Sequence, residues 1–409
     1  MLREASWLNR RRLRDYSTML IAAYAAAALW ALTGYGINDP LGRPVGTDFL
    51  SFWTVSSALQ HDQAPAIYAP ERLAQLEHAA DPDTDELFYA WAYPPIALLL
   101  VYPLALLPYL WSLALWLALG LGLYLAVLWR IMPRPLTLWA GLAFPAVFVT
   151  VSHGQNGLLT AGLLGWALLL LPARPWVAGM LIGLLSFKPQ LGLLVPFALA
   201  AAAQWRTIAA AALTVLGLSA ASLALFGSAL WSDFLASLPF ARAMLELELV
   251  PYYKLQSVFA ATRLLGGSIG LAYALQGLVA AGAASLAVWA WRQPVAQDLK
   301  NAALMTASLL ATPFMLDYDM TLLAPPAAWL VSRISRVEAL PWEKLILAII
   351  CLATVASRGL GYATHILLAP IAEAALLLTI VARIRGPGLV GRAGELQPYA
   401  PGAANRLGP

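Results

Sequence analysis

The feature that most limits what this chain can fold into is its succession of unbroken apolar runs. After a head carrying Arg3, Arg10, Arg11, Arg12 and Arg14, the first run extends from about Tyr16 to Gly36, and similar runs recur almost to residue 382. Most are roughly 15–24 residues long, close to what a helix needs to cross the hydrocarbon of a bilayer. Only 11% of the 409 residues are charged, where a soluble domain has about 25%, and 61% are hydrophobic, so most of the chain does not face water. The runs are continuous rather than alternating, which argues against a spanning barrel. The expected fold class is an all-α polytopic integral membrane protein.

Basic residues at span ends orient such a chain, because Lys- and Arg-rich loops stay in the cytoplasm. The arginine head therefore keeps the N-terminus inside and sends the loop 37–93 out. A cleaved signal peptide is the rival reading of the head, but the apolar run is long for one. The loop holds Asp62, Asp81, Asp83, Asp85 and Glu86, and a short helix candidate from Glu71 to Leu76. If both apolar runs between Trp91 and Trp129 crossed, Arg130 and Arg134 would lie outside, so the proline-bounded stretch 94–107 reads as re-entrant or surface-lying. Later spans are expected near 136–152, 156–171, 175–187, 190–204, 207–227, 268–291, 299–315, 319–332, 344–358 and 362–382. The sum is about twelve crossings, with an outer interfacial segment at 228–266 and both termini cytoplasmic. Residues 1–385 form the single membrane-embedded domain, and the Gly- and Pro-rich tail 386–409 is expected to be a disordered cytoplasmic tail. The net charge of +4 reflects arginines at span ends and does not call for nucleic acid. The single cysteine, Cys351, leaves neither a disulfide framework nor a cysteine-based metal site.

Polar groups in or beside spans are costly and are suspects for function. The topology puts several on one face: Asp48 within Gly46-Thr47-Asp48-Phe49; His153, Gln155 and Asn156 between two spans; Lys188 at the next outer turn; and Asp317, Tyr318 and Asp319 at a later one. The outer segment adds Lys254, Gln256, Ser257 and Arg263. Each has a blander reading. Asp48 can cap a short helix whose Phe49, Phe52, Trp53 and Leu59 lie in the bilayer surface. His153 can be a turn residue, Lys188 can snorkel to headgroups, and Arg263 can anchor an interfacial helix. Asp317 and Asp319 would splay on a helix, and Trp111, Trp116 and Trp129 suit lipid or interface packing.

Thr47-Asp48-Phe49, then Ile67-Tyr68, then Tyr93-Pro94-Pro95 leading into Tyr102-Pro103-Leu104, are similar to motifs of glycosyltransferase family 87. Gly154-Gln155-Asn156-Gly157, Phe187-Lys188-Pro189-Gln190, and Gln256-Ser257 followed by Arg263 resemble later motifs of that family. The resemblance rests on their order and covers about residues 46–330. It implies a GT-C-type fold and a polyprenyl-phosphate sugar donor, as in mannosyltransferases, with Asp48 as an extracytoplasmic catalytic base. Transfer to a lipid or glycan hydroxyl would invert the anomeric centre. His153, Gln155, Asn156, Lys188, Lys254, Gln256 and Arg263 would then bind donor phosphate and sugar, without metal or other cofactor. Family members often have a histidine in the late outer turn, where this chain has the possible helpers Asp317-Tyr318-Asp319. The implied location is a bacterial inner membrane, with the site facing out. A lipid or polysaccharide transporter or flippase is the alternative, but its polar residues should spread across the midplane rather than crowd one face.

Overall fold

The computed structural model describes residues 3–5, 7–61, 67–82 and 88–386. Asp62, Asp83, Asp85, Glu86 and the expected disordered stretch 387–409 lie outside the described residues. Within them the chain is helical, and the β pairing is two isolated bridges, Asn38–Pro44 and Leu255–Leu316.

Proline and glycine cut the apolar runs into pieces, and this decides the architecture. Helix α1 (Arg10–Ala31) is capped by Asn9, whose side chain accepts from the Arg12 backbone N–H. The first loop then supplies α2 (Phe49–Gln60) and α3 (Pro70–Ala80). Next come α4 (Ile96–Val101) and a 3-10 turn Leu104–Leu106, separated at Tyr102-Pro103. The break is covered by α2: Ser56 Oγ donates to the Tyr102 carbonyl at 2.6 Å and accepts from the Ala105 N–H at 2.9 Å, and Gln60 Nε2 donates to the same carbonyl at 2.8 Å. At about 1.5 Å per residue this stretch covers roughly half the hydrocarbon thickness, too little to cross alone.

Helix α5 (Tyr109–Ile131) is the first full-length apolar helix, and α6 (Pro135–Leu142) and α7 (Pro145–His153) meet at a 54° bend. Shorter pieces follow: α8 (Gly157–Leu170), α9 (Pro175–Leu184), α10 (Pro189–Gly192) and α11 (Val195–Ala201). Helix α12 (Trp205–Glu246) is broken at Gly227, whose φ of 82° and ψ of 166° are non-helical. Its second half lies over the first loop through ring contacts of Phe234 with Tyr68 and of Phe240 with Phe88. The remainder is α13 (Val258–Leu264), α14 (Ile269–Arg292), α15 (Gln297–Ala311), a 3-10 helix Asp317–Leu323, α16 (Ala324–Ile334), α17 (Glu343–Thr364) and α18 (Ala369–Arg385). Every residue of α15 from Asn301 to Ala311 is buried, which makes it the central helix.

The helices α5, α12, α14 and α17 are each long and apolar enough to cross a bilayer, and the bent α6–α7 pair makes a fifth if counted as one span. The expectation of about twelve crossings is therefore finer than the helix lengths support. It treated each apolar run as one span, whereas prolines divide several runs into helices of 4 to 15 residues. Such breaks are stable in a membrane protein only where other protein groups meet the freed backbone polar atoms.

The bundle has two chemically distinct ends. One end joins the starts of α15 and α17 to the ends of α16 and α18. It holds two ion pairs, Asp298–Arg333 at 2.8 Å and the buried Glu343–Arg383. Arg130, Arg134, Arg174, Arg292, Lys300 and Lys344 also lie in the helix termini and turns of that end. The other end gathers the polar residues singled out in the sequence.

Candidate active site

Two glycines bring the separate segments together. Helix α7 ends at His153, and Gly154 caps it in the left-handed conformation (φ 62°, ψ 27°). A Cβ on Gly154 would lie 2.5 Å from the Phe49 Cβ, and one on Gly157 would lie 2.4 Å from the Tyr318 carbonyl oxygen. The turn 154–157 is thus wedged between the start of α2 and the 3-10 helix 317–323. Thr150 Oγ1 donates to the same Tyr318 carbonyl at 3.1 Å. Trp116 donates its indole N–H to the Gly154 carbonyl at 3.1 Å, which places Trp116 in the core rather than against lipid; Trp111 and Trp129 are exposed. Gly157→Ala is expected to push the 3-10 helix away from α7 and to cost about 1–3 kcal/mol. Thermal unfolding in detergent, read beside sugar transfer, checks this: both should fall together.

A continuous series of side-chain hydrogen bonds crosses this junction. Asp48 stands at the N-terminus of α2 but makes no capping bond. Instead its Oδ2 accepts from Gln155 Nε2 at 2.9 Å, while among the described residues its Oδ1 meets only the Thr47 hydroxyl, at 3.4 Å. Tyr93 OH donates to Gln155 Oε1 at 3.3 Å and accepts from Asn156 Nδ2 at 2.8 Å. Lys188 Nζ donates to Asn156 Oδ1 at 3.0 Å and to Asp319 Oδ1 at 2.5 Å. The series ends where Asp319 Oδ2 accepts from the Leu316 N–H. Lys188 also sits over the Tyr318 ring, 4.9 Å from its centroid.

The local sequence explains these positions. Pro189 disfavours a helical Lys188, which adopts φ −135°, ψ 66° between the 3-10 turn Leu185–Phe187 and α10 and so points into the bundle. Its side chain is 4% exposed, which excludes snorkelling. Helix α2 is not a bilayer-surface helix: Phe49 and Phe52 are buried among Tyr109, Trp116, Trp91 and Tyr93. This aromatic packing replaces the membrane interface that their amphipathic spacing suggested, because α4, α5 and the 88–93 segment cover the face.

A second network lies beside the first. Asp317 and Asp319 do splay, to different cations: Asp317 Oδ2 accepts from Arg358 Nη1 at 3.0 Å. Arg358 Nη1 also lies 3.3 Å from His153 Nε2. The outer segment is clamped to the same turn by the Leu255–Leu316 bridge and the Gln256 N–H donating to the Met315 carbonyl at 2.7 Å. This brings Lys254 into the electrostatic reach of Asp48, Asp317 and Arg358. Gln256 is buried, its amide donating to the Tyr253 carbonyl, and does not join the Asp48 series. Arg263 is tied to Tyr252 OH at 3.0 Å and the Gly267 carbonyl at 2.7 Å, an anchoring arrangement apart from the others.

A family model described as glycosyltransferase family 87 matches residues 91–316, more than half of the chain. The chain belongs to glycosyltransferase family 87. No curated protein and no solved structure matches it. As a family 87 member the protein is a membrane glycosyltransferase. The matched stretch contains Tyr93, His153, Gln155, Asn156, Lys188, Lys254, Gln256 and Arg263; Asp48 lies before it and is joined to it by the Gln155 hydrogen bond.

Three residues of this family 87 junction were not among the sequence candidates. Tyr93 was read only as part of a Tyr-Pro-Pro motif, yet its hydroxyl links two amides. Arg358 is a basic residue near the end of its span opposite to the arginine-rich one, which is the signal that could have found it. Glu77 is 1% exposed on α3, with Oε2 accepting from the Tyr89 N–H at 3.0 Å and Oε1 unpartnered among the described residues. Burial first, against the Tyr89 N–H that lowers it, and with Asp48 nearby, pushes its pKa up to about 8. Its sequence context, just past the short helix candidate Glu71 to Leu76 in an acidic loop, gave no sign of burial.

Proposed function

We propose that this protein transfers a sugar, mannose, from a polyprenyl-phosphate donor to a hydroxyl of a lipid or glycan acceptor. Its helices would follow a GT-C architecture. The observation that carries the reading is the state of Asp48: half-exposed, oriented by Gln155, not used as a helix cap, and with one carboxylate oxygen that among the described residues meets nothing but a distant hydroxyl. Such an oxygen suits a general base.

In the proposed step the acceptor hydroxyl gives its proton to Asp48 as its oxygen attacks the anomeric carbon. The bond from that carbon to the donor phosphate breaks on the opposite side, and its electron pair leaves on the phosphate oxygen. In-line attack inverts the centre, so a β-linked mannosyl phosphate yields an α-mannoside. Tyr93, Asn156 and the Lys188–Asp319 pair hold Gln155, and through it Asp48, in fixed geometry; a preorganised site avoids reorganisation during the reaction. The basic residues that crowd the opposite end of the bundle support a site facing out of a bacterial inner membrane.

Purified protein, labelled polyprenyl-phosphate mannose and a membrane lipid extract test the reading. A labelled glycoconjugate and released polyprenyl phosphate are expected. Donor carried across liposome membranes with no new conjugate would overturn it in favour of a transporter.

A further inference from the structure

Arg358 sits in α17, six residues before its end at Thr364, inside a helix apolar enough to span a membrane. An arginine there needs a reason, since its desolvation is costly. Asp317 supplies part of one, at 3.0 Å. His153 supplies a second contact: its Nδ1 lies 2.9 Å from the Val149 carbonyl, which can only accept, so Nδ1 carries the ring proton and Nε2 accepts from Arg358. Both contacts use Nη1.

The opposite edge of the guanidinium, Nε and Nη2, has no protein acceptor among the described residues, and neither atom is buried. The side chain is 36% exposed. Lys254 lies in the same region, and its ammonium makes no hydrogen bond or ion pair among the described residues. Its burial, and then the Arg358 charge, lower its pKa, while Asp48 and Asp317 act the other way. Two cations repel here, and among the described residues the one acid that touches either of them, Asp317, is already paired with Arg358. A phosphate between them, singly charged in the donor diester and doubly charged once the sugar has left, would relieve the repulsion and fill the free edge of Arg358. Parallel N–H donors at Nε and Nη2 match two oxygens of a phosphate.

We infer that Arg358 and Lys254 receive the phosphate of the lipid donor, Arg358 as a two-pronged clamp held in plane by Asp317 and His153, and Lys254 as a point charge. The inference rests on the transfer reading above and adds to it a residue outside the matched family region. It gives the departing phosphate two cations as its charge develops, beside the carboxylate that takes the proton.

Binding of geranylgeranyl phosphate to the full-length protein in detergent tests it. Arg358→Gln is expected to raise Kd about tenfold to a hundredfold, and Arg358→Lys about tenfold, because lysine lacks the fork. Lys254→Met should raise it about tenfold. Asp317→Asn, which leaves the guanidinium in place, should change it by less than about fivefold. If Arg358 only pairs with Asp317, then Arg358→Gln and Asp317→Asn would lower the melting temperature alike and leave Kd unchanged, which overturns the inference. Inorganic phosphate should compete only at far higher concentration; equal competition would make this a general anion site and would overturn the assignment to the lipid donor. Wild-type protein that transfers sugar alongside an Arg358→Gln variant of unchanged Kd removes only the clamp. Wild-type protein that neither binds prenyl phosphate nor transfers sugar removes the transfer reading itself.

Discussion

Asp48→Asn is expected to lower sugar transfer by about two to four orders of magnitude, the range that a general base contributes, while the melting temperature stays near that of wild type. Asparagine keeps the size of the side chain and an oxygen that can accept from Gln155 Nε2, now at 2.9 Å from Oδ2. It cannot take a proton from an acceptor hydroxyl. The blander role, a helix cap, would give a different pattern: cap removal costs about 0.5–2 kcal/mol and asparagine is itself a good cap, so activity would survive. The absence of a capping bond from Asp48 already argues against that role. The measurement is kcat with labelled donor, beside thermal unfolding in the same detergent. Transfer retained within about tenfold would remove Asp48 from proton abstraction.

Lys188→Met should be the most destabilising single change at the junction, by about 3–5 kcal/mol, because it leaves the buried Asp319 carboxylate without its counter-ion. The pair is 4% and 1% exposed, so water cannot take the place of the ammonium. The variant also loses the hydrogen bond to Asn156 and with it the link between the 3-10 helix 317–323 and the Gln155–Asp48 end of the series. Adding Asp319→Asn removes the stranded charge. The double variant is therefore expected to recover most of the stability, with a coupling energy of about 2 kcal/mol or more, but not the transfer rate. A loss in the double variant equal to the sum of the two single-variant losses would show that the pair is not coupled. Full transfer by the double variant would show that the ion pair is not needed to hold Asp48.

The sequence carried much of this site because membrane insertion makes isolated polar residues conspicuous. Asp48, Gln155, Asn156, Lys188 and Asp319 each interrupt or border an apolar run, and the structure joins them in one series of hydrogen bonds. What spacing alone could not convey was which polar residue meets which. Gln256 and Arg263 stand in the same sort of context as Lys254, yet the bridge at Leu255–Leu316 turns Lys254 toward the junction while Arg263 folds back on Tyr252 and Gly267. Phe49, Phe52 and Trp116 looked like interface or lipid residues because periodicity cannot tell a lipid-facing stripe from one covered by protein. The number of crossings was drawn more finely than the helices support for a related reason. Hydropathy averages over Pro103, Pro145 and Pro189, where the chain breaks. Those same breaks free the backbone and side chains that build the site.

A structure of the protein with polyprenyl phosphate bound is the measurement closest to the central claim, that the helix breaks around Asp48 enclose the sugar-transfer site. The account predicts a phosphate within hydrogen-bond reach of Arg358 and Lys254, its ester oxygen directed toward the Asp48 carboxylate. A phosphate held instead at the arginine-rich end, near Arg333 and Arg383, would contradict it.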